Sequence, residues 1–268
     1  MIITKIASTL MIKVIVTGSD GQLGRTLTEK ANVLDNISFD FKTSQDLDVT
    51  DPDSMDEVLR NSPYDFCINC AAYTNVEQAE KTPEIAFEVN AEGAKNLAEA
   101  CKKHHVTLIH VSSDYVFDGE KESPYTVADK PNPINEYGRS KLKGEEYIRK
   151  IAPNHYIIRT SWLYSKKYGH NFYRTVLQKV RDGQELRITD TQMGCPTDTE
   201  SLANFILEDI IKKHPTHGTY HFTDGKAMTW FEFAKQILKE NGLTNKTNLV
   251  LDRNYRTFAK RPRNSVLS

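Results

Sequence analysis

What the chain lacks narrows the field first. Its 268 residues hold only four cysteines and two tryptophans, and the formal net charge is -1. So few cysteines in a chain of this size do not make a disulfide framework. A balanced charge gives no electrostatic case for nucleic acid or for an anionic membrane surface. No apolar run approaches the roughly 20 residues that a membrane-spanning helix needs. The opening MIITKIASTLMIK has too short an apolar stretch for a signal peptide. Residues 1–10 read as a leader or an early start, with Met11 the natural beginning of the fold, and the expected location is the cytoplasm. Repeats and low-complexity linkers are missing as well. The scale is one large α/β domain, or a nucleotide-binding domain with a smaller lobe.

Metal chemistry finds no foothold. The CINC of residues 67–70 imitates a redox or zinc pair, yet it sits inside YDFCINCAAY, which reads as a buried strand. Residues three apart on a strand face opposite ways, so Cys67 and Cys70 do not converge. No second pair follows at zinc spacing. His104 and His105 close a helical stretch and His110 lies in a strand, so structural roles are expected for all three. No metal site emerges, and no divalent ion is assigned.

What is present alternates. β-rich runs at 12–18, 37–41, 65–72, 106–117 and 156–164 are separated by amphipathic helical patterns. That order predicts βαβ units and a Rossmann-type, doubly wound parallel sheet with helices on both faces. Thr82-Pro83-Glu84 gives a helix start, with Thr82 as its cap. Beyond about residue 165 amphipathic helices dominate, with a short strand at 218–222. The division is a nucleotide-binding domain over 11–165 and a mainly helical, interleaved substrate lobe over 166–268. No helix closes the chain after AKRPRNSVLS.

The nucleotide end lies directly after the first strand. TGSDGQLGRTL places Gly18, Gly21 and Gly24 as G-x-x-G-x-x-G, opening onto a helix. Close approach of backbone to a pyrophosphate needs residues without a Cβ, and a helix N-terminus offers free N–H groups to phosphate. In that strand–turn–helix context the pattern predicts dinucleotide binding. The second strand, FDFKTSQDLDVTD, leaves NAD or NADP open: Asp40 comes early and Asp48 late for a ribose-binding acid. Lys42, Thr43 and Ser44 stand where a 2′-phosphate could be met, which favours NADP(H) over NAD(H). Asp48 and Val49 would flank the adenine.

The chemical end follows the fourth strand, in VSSDYVFDG. Parallel sheets bind ligands beyond the carboxyl ends of their strands, which puts Ser112, Ser113 and Asp114 beside the cofactor. Ser and Asp are also common in strand-end turns. Taken alone, Tyr137-x-x-x-Lys141 is common by chance and reads as a surface helix. Beside the glycine turn and Ser113, the same i,i+4 pair reads as a proton-transfer device. An ammonium and a nicotinamide charge both favour the phenolate of Tyr137 and should lower its pKa.

The glycine pattern with Ser113, Tyr137 and Lys141 resembles the extended short-chain dehydrogenase/reductases. NCAAYTNVEQAE, SSDYVFDG, YGRSKLKGE, RTSWLY and QMGCPT, in that order, resemble the dTDP-4-dehydrorhamnose reductase family within that group. The resemblance runs from about residue 12 to the end. It implies a Rossmann domain with a small C-terminal lobe, and reduction of the C4 ketone of a dTDP-sugar by NAD(P)H for surface polysaccharide. It implies that Tyr137 donates the proton, Lys141 fixes the nicotinamide ribose and Ser113 supplies the hydroxyl. By the same resemblance Gly21, Gln22, Leu23, Asp48, Val49, Ala72, Tyr73, Thr74 and Val111 line the dinucleotide. Asp114 and Trp162 touch the sugar, and Arg261 is a candidate for the substrate phosphates. A homodimer is the family-level expectation.

Three departures stand against the family pattern: Thr191 replaces an aspartate before Gln192, the second strand lacks the ribose acid, and the closing helix is missing. Nucleotide-sugar epimerases and dehydratases share the fold and the Tyr/Lys pair. A regulatory subunit of methionine adenosyltransferase shares the fold without the turnover.

Overall fold

The computed structural model describes residues 11–268, so the leader assigned to residues 1–10 lies outside the described residues. β1 (Ile12–Thr17) is buried along its last four residues, as a central strand covered on both faces must be. It is followed by α1 (Gln22–Ala31), β2 (Ile37–Lys42), α2 (Pro52–Asn61), β3 (Phe66–Asn69) and α3 (Val76–Lys81). One continuous helix then runs as α4 (Pro83–Phe87), a π-helical turn (Glu88–Glu92) and α5 (Gly93–Lys103). β4 (Thr107–Ser113), α6 (Glu136–Ile151) and β5 (His155–Thr160) complete the first half. The second half holds β6 (Leu163–Tyr164), α7 (Phe172–Arg181), β7 (Leu186–Ile188), β8 (Met193–Gly194) and β9 (Thr197–Asp198). α8 (Thr199–Asn204) passes into a π-helical stretch (Phe205–Ile211), and β10 (Gly218–His221), β11 (Met228–Thr229), α9 (Trp230–Glu240) and β12 (Leu249–Leu251) follow.

The main sheet has six strands in the order β10-β5-β4-β3-β1-β2, every pair parallel. One face packs Val14, Leu27 and Ile68 against Leu202, Ile206 and Ile210. The other packs Ile15, Met55 and Cys67 against Leu97, Cys101 and Ile148. Cys67 and Cys70 fall on opposite faces, as strand alternation requires. Among the described residues no group of His, Cys, Asp or Glu could hold a metal ion, and no helix is long and apolar enough to cross a membrane. A third core joins Tyr173, Val176 and Leu186 to Phe233 and Ile237, between α7, β7 and α9.

Several elements depart from the sequence reading. GTYHF leaves the helical lobe and becomes the sheet's edge strand, β10, beside β5. The run 106–117 stops at Ser113 and turns tightly over Asp114–Val116. The run 156–164 breaks after Thr160, because Trp162 takes a left-handed backbone (φ 47), and β6 pairs with β9 instead. The Thr82 hydroxyl does not cap α4; it donates to the Gln78 carbonyl at the end of α3.

A buried ion pair fixes α6 to the sheet. Arg159 of β5 grips Glu145 with two bonds, Nε to Oε1 at 2.9 Å and Nη2 to Oε2 at 2.7 Å, and both side chains are inaccessible. Ser112 of β4 donates to the same carboxylate at 2.6 Å. Burial opposes the charge on Glu145, but Arg159, Ser112 and Arg149 together hold it below the ordinary value of 4.5. A depressed carboxylate stabilises the fold above its unfolded value, and that contribution fades as pH falls through the folded one. Glu145→Gln leaves Arg159 without a counter-charge in the core and is expected to cost about 3–5 kcal/mol, read as a lower urea midpoint. Acidification below pH 4.5 should narrow the gap between wild type and variant.

Candidate active site

The turn between β1 and α1 is built without side chains because none would fit. Gly18 has φ 63, and a Cβ there would lie 2.6 Å from the Ala71 nitrogen; at Gly24 it would lie 2.5 Å from the Ser19 Cα. α1 starts at an extended Gly21 with no side-chain cap, so its first-turn N–H groups remain available. They open onto a cleft of about 570 Å³. The chemistry of this donor set, backbone N–H groups at a helix start beneath a bare glycine turn, fits a dinucleotide's phosphates.

Gly21, Gln22, Leu23 and Gly24 line that cleft, with Ala72, Thr74 and Val111. Gly18 lies behind the turn and shapes it. Asp48, Val49 and Tyr73 are not brought to the cleft wall. Asp48 is exposed and accepts from the Thr50 N–H at 2.9 Å, Val49 is buried, and Tyr73 bonds Asn90 through its backbone. The end of β2 carries Lys42 in an ion pair with Asp40 at 3.0 Å, with Asp40 also accepting from Tyr64. Asp40 is therefore occupied.

α6 brings the chemistry. Asn135 caps it by accepting from the Gly138 N–H at 2.7 Å and ties its start to the Lys260 carbonyl. Gly138 and Gly144 let the helix lie directly on its neighbours: a methyl at the first would collide with the Tyr115 carbonyl, and at the second with the Asn90 carbonyl. From this helix Tyr137 and Lys141 both reach the cleft, with Ser113 and Asp114 of the strand-end turn. Tyr115 meets Tyr137 edge to face at 5.8 Å.

The electrostatics differ from expectation. Burial raises the Tyr137 phenol above its ordinary range, with the Ser113 hydroxyl pulling the other way. The Lys141 ammonium does not offset this, because its Nζ donates to the Val111 carbonyl at 2.8 Å and lies 3.3 Å from His110 Nε2. Lys141 is 1% exposed, and burial lowers it to about 8. Asp114 is raised to about 6 by burial, although Ser265, Ser161 and Ser113 support its charge. The Ser113 hydroxyl donates to Asp114 Oδ1 at 3.1 Å and accepts from the Tyr115 N–H, while Ser161 donates to Oδ2 at 2.9 Å. The Asp114 carboxylate thus faces a ring of serines, and it orients Ser113.

The far wall is aromatic. Trp162 stacks on Trp230 with centroids 3.5 Å apart and planes 5° from parallel. A Cβ on Gly194 would strike the Trp162 indole. Arg261 bonds Glu77 at 2.7 Å and reaches Tyr115 Oη at 3.4 Å. Gln22 Oε1 accepts from the Ser165 N–H and from Asn171, tying the 165–171 loop to the start of α1. Sequence reasoning passed over Trp230, which looked like an ordinary helix residue, and Asn171 as the partner of Gln22. It also gave His110 no part beside Lys141. A polar residue in an otherwise apolar buried strand was the available signal for the last.

A family profile described as "RmlD substrate binding domain" matches residues 12–268. The dTDP-4-dehydrorhamnose reductase of Aggregatibacter actinomycetemcomitans is 35% identical over 96% of this chain and 90% of its own length. The spore coat polysaccharide biosynthesis protein SpsK of Bacillus subtilis is 36% identical, over 96% of this chain and 89% of that protein. The crystal structure of the Bacillus anthracis dTDP-4-dehydrorhamnose reductase in complex with NADP superposes with a TM-score of 0.92 at 34% identity. It covers 97% of this chain and 91% of that one.

Gly138→Ala tests how closely the helix must sit. The added methyl pushes the start of α6 off the Tyr115 carbonyl and displaces the phenol of Tyr137. Ångström-scale misplacement of a reacting group costs on the order of 100-fold, so turnover should fall by about that factor while dinucleotide still binds, as followed by fluorescence titration.

Proposed function

The chain belongs to the dTDP-4-dehydrorhamnose reductase family, and from that premise we propose that Tyr137, Lys141 and Ser113 carry its reaction. It is an NAD(P)H-dependent oxidoreductase that reduces the C4 ketone of dTDP-4-dehydro-L-rhamnose to dTDP-L-rhamnose. The observation carrying the residue assignment is the convergence of Tyr137, Lys141 and Ser113 on the cleft that also contains the glycine turn.

The reduced nicotinamide supplies the hydride. The protein must supply one proton and hold the carbonyl. Tyr137 donates that proton to the ketone oxygen. Its raised pKa keeps the phenol protonated at neutral pH, the state a general acid needs before reaction. Ser113, oriented by Asp114, sits where its oxygen can share the same hydrogen-bond network. Lys141, lowered to about 8, is mostly ammonium at pH 7 and can make good the proton that Tyr137 gives up.

The rest of the substrate needs its own room. A second cavity of about 710 Å³ adjoins the first and shares Asn171, Phe172, Trp230 and Arg261 with it. We assign the nucleotide to this cavity, which makes α7, β7 and α9 with their loops the substrate lobe, while α8 packs on the main sheet and β10 belongs to it. Trp162 lies on the sugar side, and Arg261 is within reach of the phosphates. Thr191 is exposed and its hydroxyl lies 2.9 Å from that of Thr189, while Gln192 accepts from the Trp230 indole. For the cofactor we favour NADP(H), on the cation at Lys42 beside the glycine turn, where the Ser19 N–H bonds the Lys42 carbonyl at 3.0 Å.

Purified protein should consume NADPH when dTDP-4-dehydro-L-rhamnose is generated in place, with NADH a poorer donor. Tyr137→Phe should lose about 100- to 10,000-fold in turnover, the range of a general acid, while still binding nucleotide. Lys42→Glu should narrow or reverse the preference for NADPH, read from the ratio of kcat/KM values. No consumption with either donor by the folded protein would overturn the assignment.

A further inference from the structure

Behind Lys141 runs a buried chain of hydrogen bonds that the reaction does not use directly. Thr17 Oγ1 donates to Asn69 Oδ1 at 2.8 Å, and the Ala71 backbone N–H donates to the same oxygen at 3.0 Å. Asn69 Nδ2 lies 2.9 Å from His110 Nδ1, and His110 Nε2 lies 3.3 Å from Lys141 Nζ. Thr17, Asn69, His110 and Lys141 are each no more than 3% exposed.

The proton positions follow from one group that has no choice. A backbone N–H can only donate, so Ala71 fixes which end of the Asn69 amide is the oxygen. The other end is then NH₂, a donor, and it points at His110 Nδ1. That nitrogen must present its lone pair. Burial, together with the nearby Lys141, holds His110 neutral, with its pKa well below the usual value. A neutral ring with a bare Nδ1 carries its hydrogen on Nε2, the atom facing Lys141. An ammonium has only donors, so the charged lysine meets an N–H head-on. The neutral amine accepts from that N–H while one of its own hydrogens serves the Val111 carbonyl.

We propose that His110, locked by Asn69 with its proton on Nε2, is a positioning residue that presses Lys141 toward the neutral amine and so sets the alkaline limit of the reduction. Burial acts in the same direction, whereas the other groups facing Lys141 do not. Glu145, one turn along α6, favours the ammonium, but its charge is matched by Arg159 and Arg149. Cys70 keeps its proton, since burial raises its thiol. Tyr137 is held neutral. Burial already lowers the lysine to about 8, and the fixed ring N–H at 3.3 Å adds to that effect. The inference rests on the acid–base reading of Tyr137 and Lys141.

Two measurements test it, and the first does not depend on turnover. In protein labelled with ¹⁵N-histidine, two-bond ¹H–¹⁵N correlation reads each ring's tautomer, and the signal lost in His110→Gln identifies His110. The expected result is a neutral ring protonated at Nε2. A proton on Nδ1, or an imidazolium at neutral pH, overturns the proposal.

The second is the pH profile of Asn69→Asp. Its carboxylate keeps the bonds from Thr17 and Ala71 but accepts from Nδ1–H, which turns the Nε2 lone pair toward the ammonium. Because the reduction needs Lys141 protonated, activity falls as pH rises through its pKa. The alkaline limb should therefore move up by about one pH unit, a tenfold gain in proton affinity. His110→Gln, which removes the fixed ring N–H, should shift it the same way and decides the matter should Asn69→Asp fail to fold. An unmoved limb in a folded variant sinks the link to Lys141. Full turnover by Tyr137→Phe would instead remove the acid–base reading and leave the tautomer result standing.

Discussion

A carboxylate with no access to water, gripped on two sides by a guanidinium, decides where the sixth helix lies. Among the described residues Glu145 is the only point at which α6 reaches through to both β4 and β5 with charged or strongly polar bonds, via Ser112 and Arg159. Apolar packing alone tolerates sliding, since hydrophobic contact has no direction. A bidentate pair does not, because both N–H···O bonds lengthen together if the helix shifts. Tyr137 and Lys141 sit two turns and one turn ahead of Glu145 on the same helix, so the pair sets their height above the strand ends. Gly138 and Gly144 then allow the approach that the ion pair requires.

The same helix separates what could be read in the sequence from what could not. The spacing of Tyr137 and Lys141, the glycine turn and the alternation of strands and helices are local patterns, and local patterns survive in a sequence. The first five strands of the parallel sheet followed from them. The strand identity of residues 218–222 was legible, but its place beside β5 was not, because pairing over some 60 residues leaves no periodic mark. Trp162 reads as lying within a strand, and its left-handed backbone breaks that strand; the room its indole occupies is left by Gly194, 32 positions later.

The titration behaviour was the least legible part. Proximity of Lys141 to Tyr137 in sequence suggested an ammonium that lowers the phenol's pKa. In the fold both groups are buried, and the cost of desolvation outweighs their mutual influence. Which hydrogen bond a buried lysine makes depends on the neighbouring strand, and here Val111 and His110 claim it. His110 had been assigned to the framework on the sound ground that a lone strand histidine usually belongs there. Its contact with Lys141 appears only once β4 and α6 are packed.

The position of β10 has a consequence for how the chain is made. The sheet's apolar face is covered by Leu202, Leu207 and Ile211, and its edge beside β5 is closed by residues 218–221. A ribosome that has released the whole glycine-turn half has therefore left the face around Val14, Ile68 and Ile158 with only Leu23 and Leu27 of α1 to cover it. That half cannot finish folding during its own synthesis. It must wait for some 50 further residues, during which an open parallel edge and a partly covered face invite association with other chains.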